Sequence, residues 1–187
     1  FNKNTGGTLV EKCCHFFDLM CIAANSEPRQ VFASGSQSVN HLDESYGGLT
    51  PDILDNAFVV VDFENGVRAH LDLCMFAEAS KNEQEICVVG DLGKVEALVS
   101  ESTIRVGLRT QGVGSFDEFA VSGASPYAGF HHGASYEEHV RLHESIRLRR
   151  KPEVSLRDGL RSVAIGVAAQ ISIADNRVVS ISEVMGI

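Results

Sequence analysis

The sequence predicts an α+β fold, a predominantly antiparallel open β-sheet with helices packed on one face. Two observations carry this prediction. Segments with hairpin signals fill the middle of the chain, and segments with helical periodicity lie before and after them. The length of 187 residues favours one domain with a substantial core, which we expect to span residues 1–187.

The first predicted helix covers residues 9–24 and begins at a capping box formed by Thr8 and Glu11. It is apolar on most of its circumference, which is typical of a buried helix. Glu11, His15 and Asp18 interrupt this surface, and their spacing of four and then three places them on one stripe. A carboxylate beside an imidazole raises its pKa and selects its tautomer, as acid–base chemistry requires. The structural alternative is that Glu11 only caps the helix and that Asp18 only holds a core histidine.

The sheet is predicted from a series of short apolar segments separated by turn residues. They cover residues 29–38, 55–63, 67–76, 84–89, 94–100, 103–109 and 177–181. Asn65-Gly66 favours a type I′ turn between the second and third strands. These two strands are apolar on both faces, so the face that no helix covers is the expected interface of a homodimer or homotetramer.

Two further helices follow the long loop at residues 110–134. One is predicted from a capping box at Ser135 and Glu138 to about Arg149, and the other from Leu156 to Ala174 after the N-cap Ser155.

The long loop is a second place for binding residues. His131 and His132 lie there near Tyr127 and Tyr136, and such groups suit a sugar or polyol. His139 and His143 have the i, i+4 spacing of some zinc ligands. No third ligand shares a motif with them, so no metal site is expected.

Composition narrows the classes of partner. The net charge is −9, which disfavours nucleic acid as a partner, and no apolar run approaches a membrane span. The five cysteines form no CxxC pair and predict reduced thiols in a cytoplasmic protein.

Sequence signals for a nucleophilic hydrolase, a Walker loop or a G-x-G-x-x-G dinucleotide fold are absent. The chain starts at Phe1 and enters a helix almost at once, so we expect that a preceding part is missing.

Several segments together resemble the C-terminal domain of the Gfo/Idh/MocA oxidoreductases, the glucose–fructose oxidoreductase and inositol dehydrogenase family. They are GGTLVEKCCHFFDLM, DNAFVVVDFENGVRAHLDL, EICVVGDLGKVEA and the closing region from HHGASYEEH onward. The resemblance implies a substrate-binding and oligomerisation domain that follows an N-terminal Rossmann domain for NAD or NADP. It implies an oxidoreductase acting on a sugar or cyclitol, with no dinucleotide bound tightly by this chain alone.

The same resemblance implies roles for individual residues. His15 would be the acid–base residue, and Glu11 would replace the aspartate usual in the family. Asp18 would orient His15 or bind a substrate hydroxyl, and Lys12 would lie at the edge of the site. Two other readings stay open: a ligand-binding or assembly domain without redox activity, and an NAD-using glycosidase of the same family.

Overall fold

The computed structural model describes residues 1–99, 101–121 and 130–186, apart from the side chains of Lys3 and Phe130. The helices are α1 Asn2–Thr5, α2 Thr8–Glu11, α3 Cys14–Ala24, α4 Ala134–Arg147, α5 Leu156–Asp175 and α6 Ile181–Met185. The strands are β1 Pro28–Ser36, β2 Asn56–Phe63, β3 Arg68–Cys74, β4 Gln84–Val89, β5 Gly93–Val99, β6 Thr103–Leu108, β7 Asp117–Ala120 and β8 Val179–Ser180. The predicted α+β class is confirmed. The strands form two antiparallel four-stranded sheets, so the prediction of a single sheet is wrong.

The chain divides into two compact units, residues 1–77 with 154–187 and residues 78–153. The first unit contains the sheet β3-β2-β1-β8, and helices α3 and α5 lie on its buried face. Alternate strand residues such as Val31, Val59 and Val61 are fully buried there. In the second unit, the sheet β4-β5-β6-β7 carries ion pairs such as Arg105 with Glu118 at 2.8 Å.

The opposite face of the first sheet is open. Phe32 is paired with Val60, and these side chains are 42% and 37% exposed, while Phe58 on the next row is 62% exposed. The strand partners of Val60 and Phe58 on β3 are His70 and Asp72. Apolar side chains therefore form the middle of this face, and polar ones lie along β3.

The hairpin between β2 and β3 is confirmed, but its predicted type I′ turn is wrong. Gly66 has a φ of 85°, whereas Asn65 keeps a negative φ, and the strands close through Phe63 N donating to Val67 O at 2.9 Å. The result is a longer loop with glycine in the left-handed region. Asn65 is held by its side chain, which donates to Ala24 O at 2.9 Å and accepts from Val67 N at 3.1 Å.

The loop between β1 and β2 is anchored by one buried carboxylate, Asp55. Its oxygens accept backbone hydrogens of Ser38, Val39 and Asn40 at 2.7 to 3.0 Å and the side-chain amide of Asn56 at 2.8 Å. Burial by itself raises the pKa of Asp55, but the hydrogen bonds outweigh it and lower the pKa to about 2. Asp55 therefore remains ionised and holds the start of the loop.

The predicted helix caps have different outcomes. At α5, Ser155 Oγ accepts from Asp158 N at 3.3 Å and Ser155 N donates to Asp158 at 2.8 Å, which confirms Ser155 as the N-cap. The capping box at Ser135 and Glu138 is wrong, since α4 begins after Gly133, a residue with a φ of 89° that makes no side-chain cap. The structure also contains β7, within the predicted loop 110–134, and α6, and neither element is predicted from the sequence.

Candidate functional site

The continuous helix predicted at residues 9–24 is two helices, α2 and α3, separated at Lys12 and Cys13. The capping box of Thr8 and Glu11 is wrong, because Gly7 is the N-cap residue of α2. The Thr8 hydroxyl instead donates to Leu54 O at 2.7 Å. The break means that Glu11 and His15 do not lie on one regular helical stripe.

Gly7 determines how the chain enters α2. Its φ is 80°, and a Cβ there would lie 2.3 Å from Asn2 Oδ1 and 2.7 Å from Gln170 Nε2. A residue with a side chain would be strained by its backbone conformation and would clash as well. Glycine is therefore required at position 7 by the backbone conformation and by the approach of Asn2 and Gln170.

One side of α2 and α3 packs into the core of the first unit. The buried residues are spaced four apart across the break, and Leu9, Cys13 and Phe17 have no exposed surface. Burial, with a smaller contribution from Cys14, raises the pKa of the Cys13 thiol to about 12. Burial also raises the pKa of Cys21 to about 11. Both thiols are therefore protonated and packed as small apolar groups.

The other side of α3 faces outward, so the expectation of a helix buried on most of its circumference is wrong for this chain. His15 is exposed, and Leu19 and Ile22, one and two turns further on, are 41% and 63% exposed. The helix is apolar on most of its surface, and the core contacts only one side of it. We call the surface formed by His15, Asp18, Leu19 and Ile22 the α3 outer face.

His15 is the best-placed group on this face for proton transfer. Its Nδ1 lies 3.8 Å from Cys14 Sγ, and its ring meets that of Phe16 edge-on with centroids 6.1 Å apart. His15 as a residue is exposed. Glu11 and Lys12 are also exposed, at the break immediately before Cys14.

Asp18 is half-buried and has charged neighbours on α5. Burial raises the pKa of its carboxyl, the nearby Asp158 carboxylate raises it further, and Arg161 opposes the shift. Arg161 is itself ion-paired with Asp158 and, at 3.1 Å, with Glu27. Within the described residues, no hydrogen bond joins Asp18 to His15.

The histidines of the predicted polyol loop belong to the second unit. His131 and His132 lie in the short helical segment Phe130–Gly133, and both have positive φ, 66° and 53°. His132 Nε2 lies 3.2 Å from Glu83 Oε2, and both histidines are exposed. Tyr127 lies outside the described residues.

The structure gives no support for a metal-binding role of His139 and His143. Both lie on α4, and His139 Nδ1 is 2.6 Å from Ser135 O, a backbone partner on the same helix. Across residues 1–99, 101–121 and 130–186, no group of three or more histidine, cysteine or acidic side chains could hold a metal ion. None of the helices in these residues has the length and hydropathy that spanning a bilayer requires.

Sequence reasoning treated the thiols only as packing groups and missed the contact of Cys14 with His15. The direct adjacency of the two residues was the available signal. The direction in which the Cys14 thiol projects depends on the break between α2 and α3, and the helical periodicity of the sequence did not predict that break.

Comparison with known proteins identifies the class. Residues 1–181 match the family described as "Oxidoreductase family, C-terminal alpha/beta domain", GFO_IDH_MocA_C. The chain therefore belongs to the Gfo/Idh/MocA oxidoreductase family and corresponds to its C-terminal domain.

Individual relatives agree with this assignment. The chain is 30% identical to the uncharacterized oxidoreductase YrbE of Bacillus subtilis, over 96% of this chain and 49% of the relative. It is 29% identical to myo-inositol 2-dehydrogenase of Thermotoga maritima, over 97% of this chain and 51% of the relative. A levoglucosan dehydrogenase solved in complex with NADH shares the fold, with a TM-score of 0.77 at 17% identity, over 94% of this chain and 50% of that one. The chain thus spans about half the length of the relatives it matches.

Proposed function

We propose that residues 1–187 are the substrate-binding and oligomerisation domain of an NAD(P)-dependent oxidoreductase acting on a hydroxyl or carbonyl of a sugar or cyclitol. The longer protein would carry an N-terminal domain that binds NAD or NADP, and this chain alone would bind the dinucleotide weakly. The membership of the family and the names of the relatives, myo-inositol 2-dehydrogenase and levoglucosan dehydrogenase, support the reaction class and the substrate class.

The observation that carries the proposal is the exposed imidazole on the α3 outer face. His15 is open to solvent, two exposed apolar residues follow it, and two oppositely charged side chains, Glu11 and Lys12, precede it. A surface that joins an acid–base group to apolar area is suited to contact with a ligand or another domain.

The mechanism assigns proton transfer to this chain. When bound, the nicotinamide supplies the hydride acceptor for oxidation of a carbinol. The carbinol proton must leave as the hydride leaves, and His15 accepts it, since histidine is the side chain that most often acts as a general base. Glu11 is the second catalytic residue and takes the place of the aspartate that usually precedes this histidine in the family. Lys12 and Asp18 bind substrate hydroxyls. His131 and His132 are proposed as further substrate-binding residues.

The partners follow from the surface of the first unit. We propose a homodimer or homotetramer joined through the open sheet face, because Phe32, Phe58 and Val60 leave its centre apolar. Neither nucleic acid nor membrane is proposed as a partner. Cytoplasmic location is proposed from the cysteines, all five of which are free.

The decisive experiment is His15→Ala in the full-length protein. Turnover is followed as NAD(P)H formation with myo-inositol or glucose, and kcat should fall by at least about 100-fold, the usual contribution of a general base. His143→Ala, which removes an exposed histidine on α4, is the matched control and should leave kcat unchanged. A decrease of less than threefold for His15→Ala would reject the catalytic role.

The two other candidate functions give different results with the same protein. A ligand-binding or assembly domain without redox activity predicts no change of NAD(P)H fluorescence on titration. An NAD-using glycosidase predicts cleavage of a glycoside without net formation of NADH.

A further inference from the structure

We infer that Cys14 is a positioning residue that selects the ring tautomer of His15. The sulfur accepts the Nδ1–H of the imidazole and thereby leaves the Nε2 lone pair free to take the carbinol proton. The acceptance of the carbinol proton by Nε2 rests on the proposed function. The ring tautomer of His15 can be measured even if the protein has no activity.

The break between α2 and α3 creates the required geometry. Glu11 is the last residue of α2, and its backbone carbonyl accepts the Cys14 thiol, with Sγ and O 3.4 Å apart. A thiol has only one hydrogen, so a sulfur that donates to Glu11 O can meet a second polar group only as an acceptor.

That second group is the His15 ring. Its Nδ1 lies 3.8 Å from the same sulfur, within the range of a hydrogen bond to sulfur. A neutral imidazole carries its proton on one nitrogen only, and the hydrogen bond made by that nitrogen selects the tautomer. With Nδ1 as the donor to sulfur, Nε2 is the unprotonated nitrogen.

No carboxylate competes for this role in the part of the chain that the structure describes. Neither the Glu11 side chain nor the Asp18 side chain makes a hydrogen bond there to His15, and the charges that act on Asp18 are those of Asp158 and Arg161. Orientation of His15 by Asp18, which the family resemblance implies, therefore lacks a contact, whereas Cys14 has one.

The test is the ring tautomer of His15 in full-length protein labelled with ¹⁵N-histidine. The ¹⁵N shifts of the two ring nitrogens are recorded under conditions in which the ring is neutral. We expect the Nδ1–H form in the unmodified protein and in Cys14→Ser, whose hydroxyl can make both contacts. Cys14→Ala should shift the ring towards the Nε2–H form. Cys87→Ala is the control, because it removes an exposed thiol from β4 in the second unit.

Two results would overturn the inference: an Nε2–H ring in the unmodified protein, or an Nδ1–H ring that persists in Cys14→Ala.

For the enzyme, Cys14→Ala should lower kcat by about three- to tenfold, the effect of one hydrogen bond, with KM changed less than twofold. Cys14→Ser should restore kcat. If Cys14→Ala changes the tautomer while His15→Ala leaves kcat intact, the proposed function fails and the positioning contact stands. If His15→Ala abolishes turnover and Cys14→Ala changes neither tautomer nor kcat, only the positioning role fails.

Discussion

A substitution of glycine by alanine at two sites of α5 tests how this helix places α2. Gly166 and Gly159 both lie inside α5, so alanine increases intrinsic helix stability at either site by about 1 kcal/mol. Their surroundings differ. A Cβ at Gly166 would lie 2.6 Å from Leu9 O and 3.1 Å from Val10 Cα, whereas a Cβ at Gly159 would meet nothing within 4 Å.

The two variants should therefore change stability in opposite directions. At Gly159 only the propensity gain applies, and Tm should rise by about 2–4 °C for a protein of this size. At Gly166 the new methyl group must displace the backbone of α2, at a cost of about 3 kcal/mol for overpacking. After the propensity gain, the net loss is about 2 kcal/mol, and Tm should fall by about 4–8 °C.

Thermal and urea unfolding of both variants measure the difference directly. Because α2 carries Glu11, Gly166→Ala should also reduce turnover if the proposed function is right, whereas Gly159→Ala should leave it unchanged. Equal stabilisation by the two substitutions would show that α5 and α2 do not pack as closely as the structure describes.

Three further predictions concern the rest of the chain. Asp55→Asn should cost about 2–3 kcal/mol at neutral pH, seen in urea unfolding, because one oxygen that accepts backbone amides is lost. Since the folded pKa of Asp55 is lowered to about 2, its contribution is complete above the unfolded value near 4. The difference from wild type should shrink as pH falls towards about 2, and a difference that grows with acid would contradict the hydrogen-bonding account. Phe58→Asp should shift the full-length protein towards monomer in light scattering, whereas Leu156→Asp, at a side chain that is 95% exposed, should not. An oligomer that Phe58→Asp leaves unchanged would reject the open sheet face as the interface. A wild-type protein that is monomeric at high concentration would reject it as well. Iodoacetamide under native conditions should modify the exposed Cys87 before Cys13 and Cys21, whose pKa values are raised to about 12 and about 11, and equal rates by mass spectrometry would contradict their burial.

The hairpins were predictable because their signals are local. Gly90 and Gly93 end one turn, in which Gly90 N donates to Gly93 O at 2.8 Å, and segments rich in apolar residues pair on both sides of it. The turn after β2 shows the limit of such signals. The Asn-Gly pair correctly placed it, but contacts of Asn65 with Ala24 and Val67 selected a different turn geometry.

The candidate site was predictable as a set of residues but not as an arrangement. The spacing of Glu11, His15 and Asp18 singled them out, yet it assumed a continuous helix. The chain breaks at Lys12 and Cys13, where Thr8 accepts backbone hydrogens from both residues at 3.0 and 3.1 Å. Periodicity cannot predict this break, since the buried spacing of Leu9, Cys13 and Phe17 is the same with or without it.

By itself, the sequence determined the α+β class, the strand pairs joined by short turns, the Ser155 cap and the family, because each depends on local chemistry or on the order of motifs. Only the tertiary structure decided which side of an almost wholly apolar helix is buried. The core of the first unit contacts α3 along Cys13, Phe17 and Cys21 and leaves His15 exposed. The residues on the two sides of this helix are similarly hydrophobic, so hydrophobicity alone does not indicate which side is buried. The sheet and α5 cover only one side, and that asymmetry is a property of packing between distant segments.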